Sequence, residues 1–209
     1  MIDLFLHLDT HLQNVITTYG VLTYVILFLI IFCETGLIVT PFLPGDSLLF
    51  ASGAFAGMGD LNLLVLFVLL SFAALLGNIV NYHVGRLLGE RVFKDTNRIL
   101  RRSYLLRTHA FYATYGAKTI VLSRFVPIIR TVAPFVAGAG TMSPQTFHTY
   151  NLIGGVSWVG LFIFGGYFFG NIPFVQEHFT TVIMAIIVLS LVPPIVSYIR
   201  EMRTRARRS

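Results

Sequence analysis

Apolar residues run along this chain in long blocks, and the few polar residues that interrupt them mark where each element begins, bends or ends. Residues 3–18 place Leu4, Leu8, Leu12 and Val15 on one face at helical spacing, which predicts an amphipathic helix lying at a membrane interface. An apolar block over 20–39 predicts a first span, with Glu34 in its second half. The pattern then breaks. Pro41, Pro44 and Gly45 interrupt it, and the apolar run after Asp46 is too short for the roughly 20 residues that a spanning helix needs. Residues 41–59 therefore read as a re-entrant hairpin, a broken segment that enters the membrane, turns and leaves on the same side.

Asp60 reads as the N-cap of a second span over 61–86. Its later part carries Gly77, Asn81, Gly85 and Gly89 at steps of four, and Gly85 with Gly89 offers a small-residue face for close helix contact. Asn78 and His83 read as satisfied packing polars. Residues 90–117 are basic, with Leu100, Tyr104, Leu105, Phe111 and Tyr112 interleaved, which predicts an interfacial segment on an anionic membrane surface. A second broken segment covers 118–142, where Arg124, Pro127, Arg130, Pro134, Gly138 and Gly140 forbid a straight lipid-facing helix. Ser143-Pro144 is a helix start signal for a third span over 144–170. Residues 179–199 predict the last span, kinked or ended early by Pro193-Pro194, and 200–209 form a basic tail.

Composition supports a membrane solvent. Of 209 residues 56% are hydrophobic and 11% charged, against about a quarter charged in soluble domains. The expected fold is a single all-α membrane domain over 1–209, with about four spans and two hairpins. The net charge of +6 is unevenly placed, because all 15 Lys and Arg lie after residue 85. Basic clusters beside apolar spans fit the positive-inside rule, and nucleic-acid binding is set aside. If the basic loop and tail are both cytoplasmic, so is the N-terminus, and the two hairpins must enter from opposite faces. A faint repeat agrees. Phe42, Pro44, Ala54, Ala56 and Gly57 fall on Phe125, Pro127, Ala137, Ala139 and Gly140 at an offset of 83, and Tyr82 and Gly85 fall on Tyr167 and Gly170 at an offset of 85. Together these predict an inverted repeat.

Four ionisable residues then stand at membrane depth: Glu34, Asp46, Arg124 and Arg130. Unpaired, they would cost on the order of 10 kcal/mol, so they must face each other or water. The repeat places Asp46 one position from the equivalent of Arg130, which brings acid and arginine together at the hairpin tips. A carboxylate in low dielectric can carry a proton, and an arginine can exchange a carboxylate for a phosphate. The opposing expectation is a pair of static salt bridges. His7 and His11 share the spacing of a two-histidine metal site, but with no third ligand nearby they read as a solvated face. No nucleophile triad, nucleotide loop or Cys/His cluster has usable spacing, so neither an enzyme nor a cofactor or metal site is expected. Gly-Asp-Ser at 45–47 with His83 is a weak hydrolase signal only. Lone Cys33 excludes an internal disulfide. A cleavable signal peptide is not expected, since the first 20 residues lack Lys and Arg.

At Phe32-Cys33-Glu34-Thr35-Gly36, at 41–49 (Pro-Phe-Leu-Pro-Gly-Asp-Ser-Leu-Leu), at 81–86 (Asn-Tyr-His-Val-Gly-Arg) and at 124–138 from Arg124 to Gly138, the chain resembles the DedA family of bacterial inner-membrane proteins, in the wider VTT-domain or SNARE-associated-Golgi-like group. The resemblance runs over essentially the whole chain. It implies facing re-entrant hairpins and transbilayer movement of a lipid such as undecaprenyl phosphate or phosphatidylethanolamine. It also implies links to proton-motive force, envelope integrity and drug resistance. It further implies that an acidic pair and an arginine pair are needed, here Glu34 with Asp46 and Arg124 with Arg130. The contrasting expectation is a non-transporting scaffold for envelope assembly. Neither requires nor excludes a homo-oligomer.

Overall fold

A computed structural model describes residues 18–37, 45–89, 102–140 and 142–170, together with 172, 173, 175, 181 and 182. The expected amphipathic helix over 3–18 (all but its last residue), Pro41 and Pro44, segment 90–101, nearly all of the last span and the tail lie outside these residues. The described residues are all-helical: α1 (Leu22–Gly36), α2 (Gly45–Met58), α3 (Leu63–Leu88), α4 (Arg102–Tyr115), α5 (Thr119–Leu122), α6 (Pro127–Ala139) and α7 (Pro144–Gly170). Short 3₁₀ turns at Gly116–Lys118 and Ser123–Phe125 flank α5. At 1.5 Å per residue, the 26 residues of α3 and the 27 of α7 are long enough to cross a bilayer. The 14 residues of α2 and the 13 of α6 are not.

Helix ends follow local chemistry and correct two expectations. Asp60 does not cap α3. Gly59 takes φ 94°, its N–H donates to the Ala56 carbonyl, and the Asp60 N–H donates to the Phe55 carbonyl. That pattern is a Schellman closure of α2, and it commits Asp60 to the preceding helix. Asn62 caps α3 instead, its Oδ1 accepting from the Val65 N–H at 3.1 Å. Gly89 is not part of a packing face. It ends α3 at φ 66°, its N–H donating to the Gly85 carbonyl, and a Cβ there would meet nothing within 4 Å.

In the second broken segment the described backbone breaks at Val126 and α6 then runs unbroken to Ala139. Val126 is extended, as the residue before a proline prefers, and Pro127 opens α6. Pro134 and Gly138 lie inside α6 rather than at breaks, and Gly140 ends the helix with its N–H on the Val136 carbonyl. Pro134 has no N–H to offer the turn before it. Packing on α3 holds the helix through that gap. The start of α7 matches expectation, with Ser143 Oγ accepting from the Thr146 N–H at 3.3 Å and Pro144 first in the helix.

The pairs α2 against α7 and α6 against α3 form the body, with α1 packed as closely along α3. Each pair meets through glycines pressed on carbonyls. A Cβ at Gly166 would overlap the Phe50 carbonyl, and one at Gly53 would overlap the Ile163 carbonyl. In the other pair, Gly85 lies on the Phe135 carbonyl and Gly138 on the Tyr82 carbonyl. The apolar core between α1, α2, α3 and α7 includes Leu27, Ile31, Leu49, Ala54, Leu66, Leu70 and Ile163. Outward, Leu64, Val68 and Phe72 on α3 and Leu161 and Phe168 on α7 are all more than half exposed. A long apolar helix that presents large apolar side chains outward is matched to lipid, not water.

Candidate functional site

The four charged residues come together from four elements. Glu34 lies in the last turns of α1, Asp46 is the second residue of α2, Arg124 sits in the 3₁₀ turn before the Val126 break, and Arg130 is in the first turn of α6. Glu34, Arg124 and Arg130 are buried. Arg130 holds both acids: Nη1 pairs with Asp46 Oδ1 at 2.8 Å, and Nη2 pairs with Glu34 Oε1. The N-terminal ends of the two short helices therefore meet at one guanidinium. Negative charge is favoured there, because both helix dipoles point their positive ends at it.

Neighbouring residues fix this geometry. Gly45 leaves the space that the Glu34 carboxylate fills, since a Cβ at 45 would overlap it. Asn81 donates from Nδ2 to the Thr131 carbonyl at 2.8 Å and to the Thr35 carbonyl at 3.4 Å, which ties the residue after Arg130 to the residue after Glu34. Trp158 on α7 donates from Nε1 to Asp46 Oδ1 at 2.9 Å. Its ring centroid lies 5.2 Å from Arg130 Cζ and 5.5 Å from Arg124 Cζ, within range of a cation–π attraction to both.

Arg124 is bound differently. Its Nη2 donates to Asn151 Oδ1 at 3.0 Å and to the Ala74 carbonyl at 3.4 Å. Asn151 Oδ1 also accepts from Asn78 Nδ2 at 2.9 Å, and Asn151 Nδ2 donates to the Leu75 carbonyl at 3.2 Å. Among the described residues Arg124 has no carboxylate partner, and its Nε and Nη1 have no hydrogen-bond partner. Two acids and two arginines make the cluster neutral as a whole, yet the pairing is uneven.

The sequence pattern singles out neither Trp158 nor Asn151 and reads Asn78 as a packing polar. A signal existed for each. Trp158 is the only tryptophan and sits mid-helix rather than at a membrane interface, and Asn151 is an amide within an apolar span. His83 is exposed, its ring Nδ1 lying 2.8 Å from the Ile79 carbonyl, and takes no part in the cluster. A separate 590 Å³ cavity lies between α4, the end of α6 and the start of α7, lined by residues that include His109, Tyr112, Val136, Met142 and Thr146. None of the four charged residues lines it.

Two spanning-length apolar helices, outward-facing apolar faces and an internal ion cluster are consistent with an integral membrane protein. The VTT domain family matches residues 43–168, a stretch that holds Asp46, Arg124, Arg130 and Trp158. The chain is 55% identical over 210 residues to Protein DedA of Escherichia coli K12, covering 99% of this chain and 96% of that protein. It is 39% identical over 180 residues to an uncharacterized membrane protein of Mycobacterium tuberculosis, covering 85% of this chain and 79% of the relative. It is 31% identical over 184 residues to inner membrane protein YghB of Escherichia coli K12, covering 88% and 81%. The chain belongs to the DedA family of VTT-domain membrane proteins. No solved structure matches it.

Proposed function

We propose that this protein moves a phosphate-bearing lipid across the bacterial inner membrane, with both termini cytoplasmic. The observation that carries the reading is the buried cluster of two acids and two arginines where the N-terminal ends of α2 and α6 meet. Ionisable groups at membrane depth mark substrate and ion pathways, and short helices whose N-termini converge on a polar point are a transporter device. In this reading α2 and α6 are the helical arms of two re-entrant hairpins that enter from opposite faces as an inverted repeat. The matched glycine contacts support it. Phe50 and Gly53 on α2 meet α7 as Phe135 and Gly138 on α6 meet α3.

The substrate is a polyprenyl phosphate such as undecaprenyl phosphate, or a phospholipid such as phosphatidylethanolamine. Its phosphate enters the cluster while its chain stays in the bilayer. The arginines receive the phosphate, and Glu34 and Asp46, released from Arg130, take up protons in a step that couples transport to proton-motive force. No chemical bond is made or broken. A specific observation favours a second reading, a scaffold for envelope assembly: Arg130 already pairs with both acids.

Binding separates the two. The full chain in detergent is titrated with a polyprenyl phosphate and with its uncharged alcohol, in wild type and Arg130→Lys. Preference for the phosphate, weakened about 10-fold or more in the lysine variant, is the expected result. Equal affinity of wild type for phosphate and alcohol refutes the phosphate-receiving role.

A further inference from the structure

The two arginines are chemically unequal. Arg130 pairs each of its two terminal nitrogens with a carboxylate and leaves only Nε without a partner among the described residues. Arg124 is 2% exposed and bonded through Nη2 alone, to an amide oxygen and a backbone carbonyl. Nε and Nη1 together carry three of the five guanidinium N–H groups, and neither atom has a partner among the described residues. A buried cation hydrogen-bonded only to neutral acceptors attracts an anion strongly, because the low dielectric that makes it costly also magnifies its field. Gly155 supplies the space that the guanidinium itself fills. A Cβ at Gly155 would lie 3.2 Å from Arg124 Nη2 and 2.8 Å from Leu75 Cδ2.

We infer that Arg124 is the arginine that first seats the anionic oxygen of the ligand, before the acids release Arg130 to join it, and that Asn151, steadied by Asn78, is a positioning residue that holds Arg124 with a neutral oxygen where a carboxylate would quench it. The inference rests on the phosphate-lipid reading above and specifies which arginine receives first. Asn151 suits this role by its atoms. Its Oδ1 orients the guanidinium and accepts a second bond from Asn78, while its Nδ2 is anchored to the Leu75 carbonyl of α3. An aspartate there would have the same shape and the same Oδ1, but would add the negative charge that Arg124 lacks. A static role for Arg124 and an anion-seating role thus make opposite demands on position 151.

The test is Asn151→Asp in the purified full chain, measured for thermal stability and for affinity toward a polyprenyl phosphate, its alcohol and inorganic phosphate. Seating predicts that Asn151→Asp unfolds at or above the wild-type midpoint, while its preference for phosphate over alcohol falls about 10-fold or more as the new carboxylate occupies Arg124. Raised stability with an unchanged preference overturns the inference. Arg124→Gln keeps the test open should the aspartate variant not fold, since it removes a charge that no described carboxylate pairs. Loss of phosphate preference at a wild-type unfolding midpoint supports the seat, and full preference in Arg124→Gln overturns it. Inorganic phosphate assigns the source: tighter binding of the lipid phosphate supports a lipid headgroup, and equal binding overturns it in favour of a free anion. A wild type without phosphate preference defeats the functional reading itself. A wild-type preference that survives both variants defeats only the assignment to Arg124.

Discussion

Replacing Arg130 with glutamine removes one charge and strands two. Glu34 is fully buried, and Asp46 is 14% exposed with a Trp158 N–H still on its Oδ1. Removing one partner of a buried ion pair costs about 3–5 kcal/mol, chiefly because the remaining charge is left without compensation. Most of the loss in Arg130→Gln should come from Glu34, since Asp46 keeps a donor and some solvent. The double variant Glu34→Gln/Arg130→Gln should therefore recover much of the stability that the single variant loses, with a coupling of about 0.5–3 kcal/mol. Trp158 is the sole tryptophan and touches the cluster, so its fluorescence reports unfolding and the local environment together. Denaturation in detergent, followed by this signal across the four members of the cycle, measures the coupling. An Arg130→Gln protein that unfolds at the wild-type midpoint, with zero coupling to Glu34, refutes the reasoning from burial and pairing.

Gly53→Ala and Gly166→Ala should each destabilise by about 1–3 kcal/mol, because a Cβ meets a backbone carbonyl that cannot rotate away, whereas Gly160→Ala, which meets only Phe67 and Phe164 ring atoms at van der Waals distance or beyond, should not. Thermal unfolding compares the three. Asn62→Ala should cost about 0.5–2 kcal/mol through loss of the α3 cap, and Asp60→Ala, which keeps the backbone closure of α2, should stay within about 0.5 kcal/mol of wild type. Tyr112, on the basic segment, donates its hydroxyl to the Ala133 carbonyl at 2.9 Å, and burial pushes its ionisation upward. The folded state then holds the proton more tightly than the unfolded state, so this stabilisation is full below about pH 10 and declines above it. Tyr112→Phe should lose the alkaline decline along with about 0.5–1.5 kcal/mol of stability, as unfolding at pH 8 and pH 11 will show. On a Cys33→Ser background, cysteines at Asp60 and Leu106 should label from the outer and cytoplasmic sides respectively, and outer labelling of position 106 in intact cells contradicts the proposed orientation.

Some of this architecture is legible in one chain. The α7 helix starts where Ser143 and Pro144 say it should, because both the cap and the fixed φ of proline act locally. The pairing of Asp46 with Arg130 follows from the faint repeat and from the cost of lone charges at depth. Other features are decided by rivals in the same stretch. Asp60 and Asn62 are both good caps, and the left-handed turn at Gly59 uses the first to close α2. Pro134 breaks a helix in isolation but not one pressed along α3 with Gly138 on a carbonyl. The contact of Trp158 and Asn151 with the arginines is hidden for another reason. On an apolar span no polar stripe says which face turns inward, so the side of α7 that meets the arginines emerges only from packing.

Transport itself is the most direct test of the central claim. Proteoliposomes carrying a labelled polyprenyl phosphate in one leaflet are assayed for its arrival in the other, against protein-free vesicles and against vesicles holding Arg124→Gln or Glu34→Gln protein of verified fold. A transport role for the buried cluster predicts movement that depends on the wild-type protein, quickens with an imposed proton gradient and is lost in both variants. Movement no faster than in protein-free vesicles, or unchanged in both variants, contradicts it.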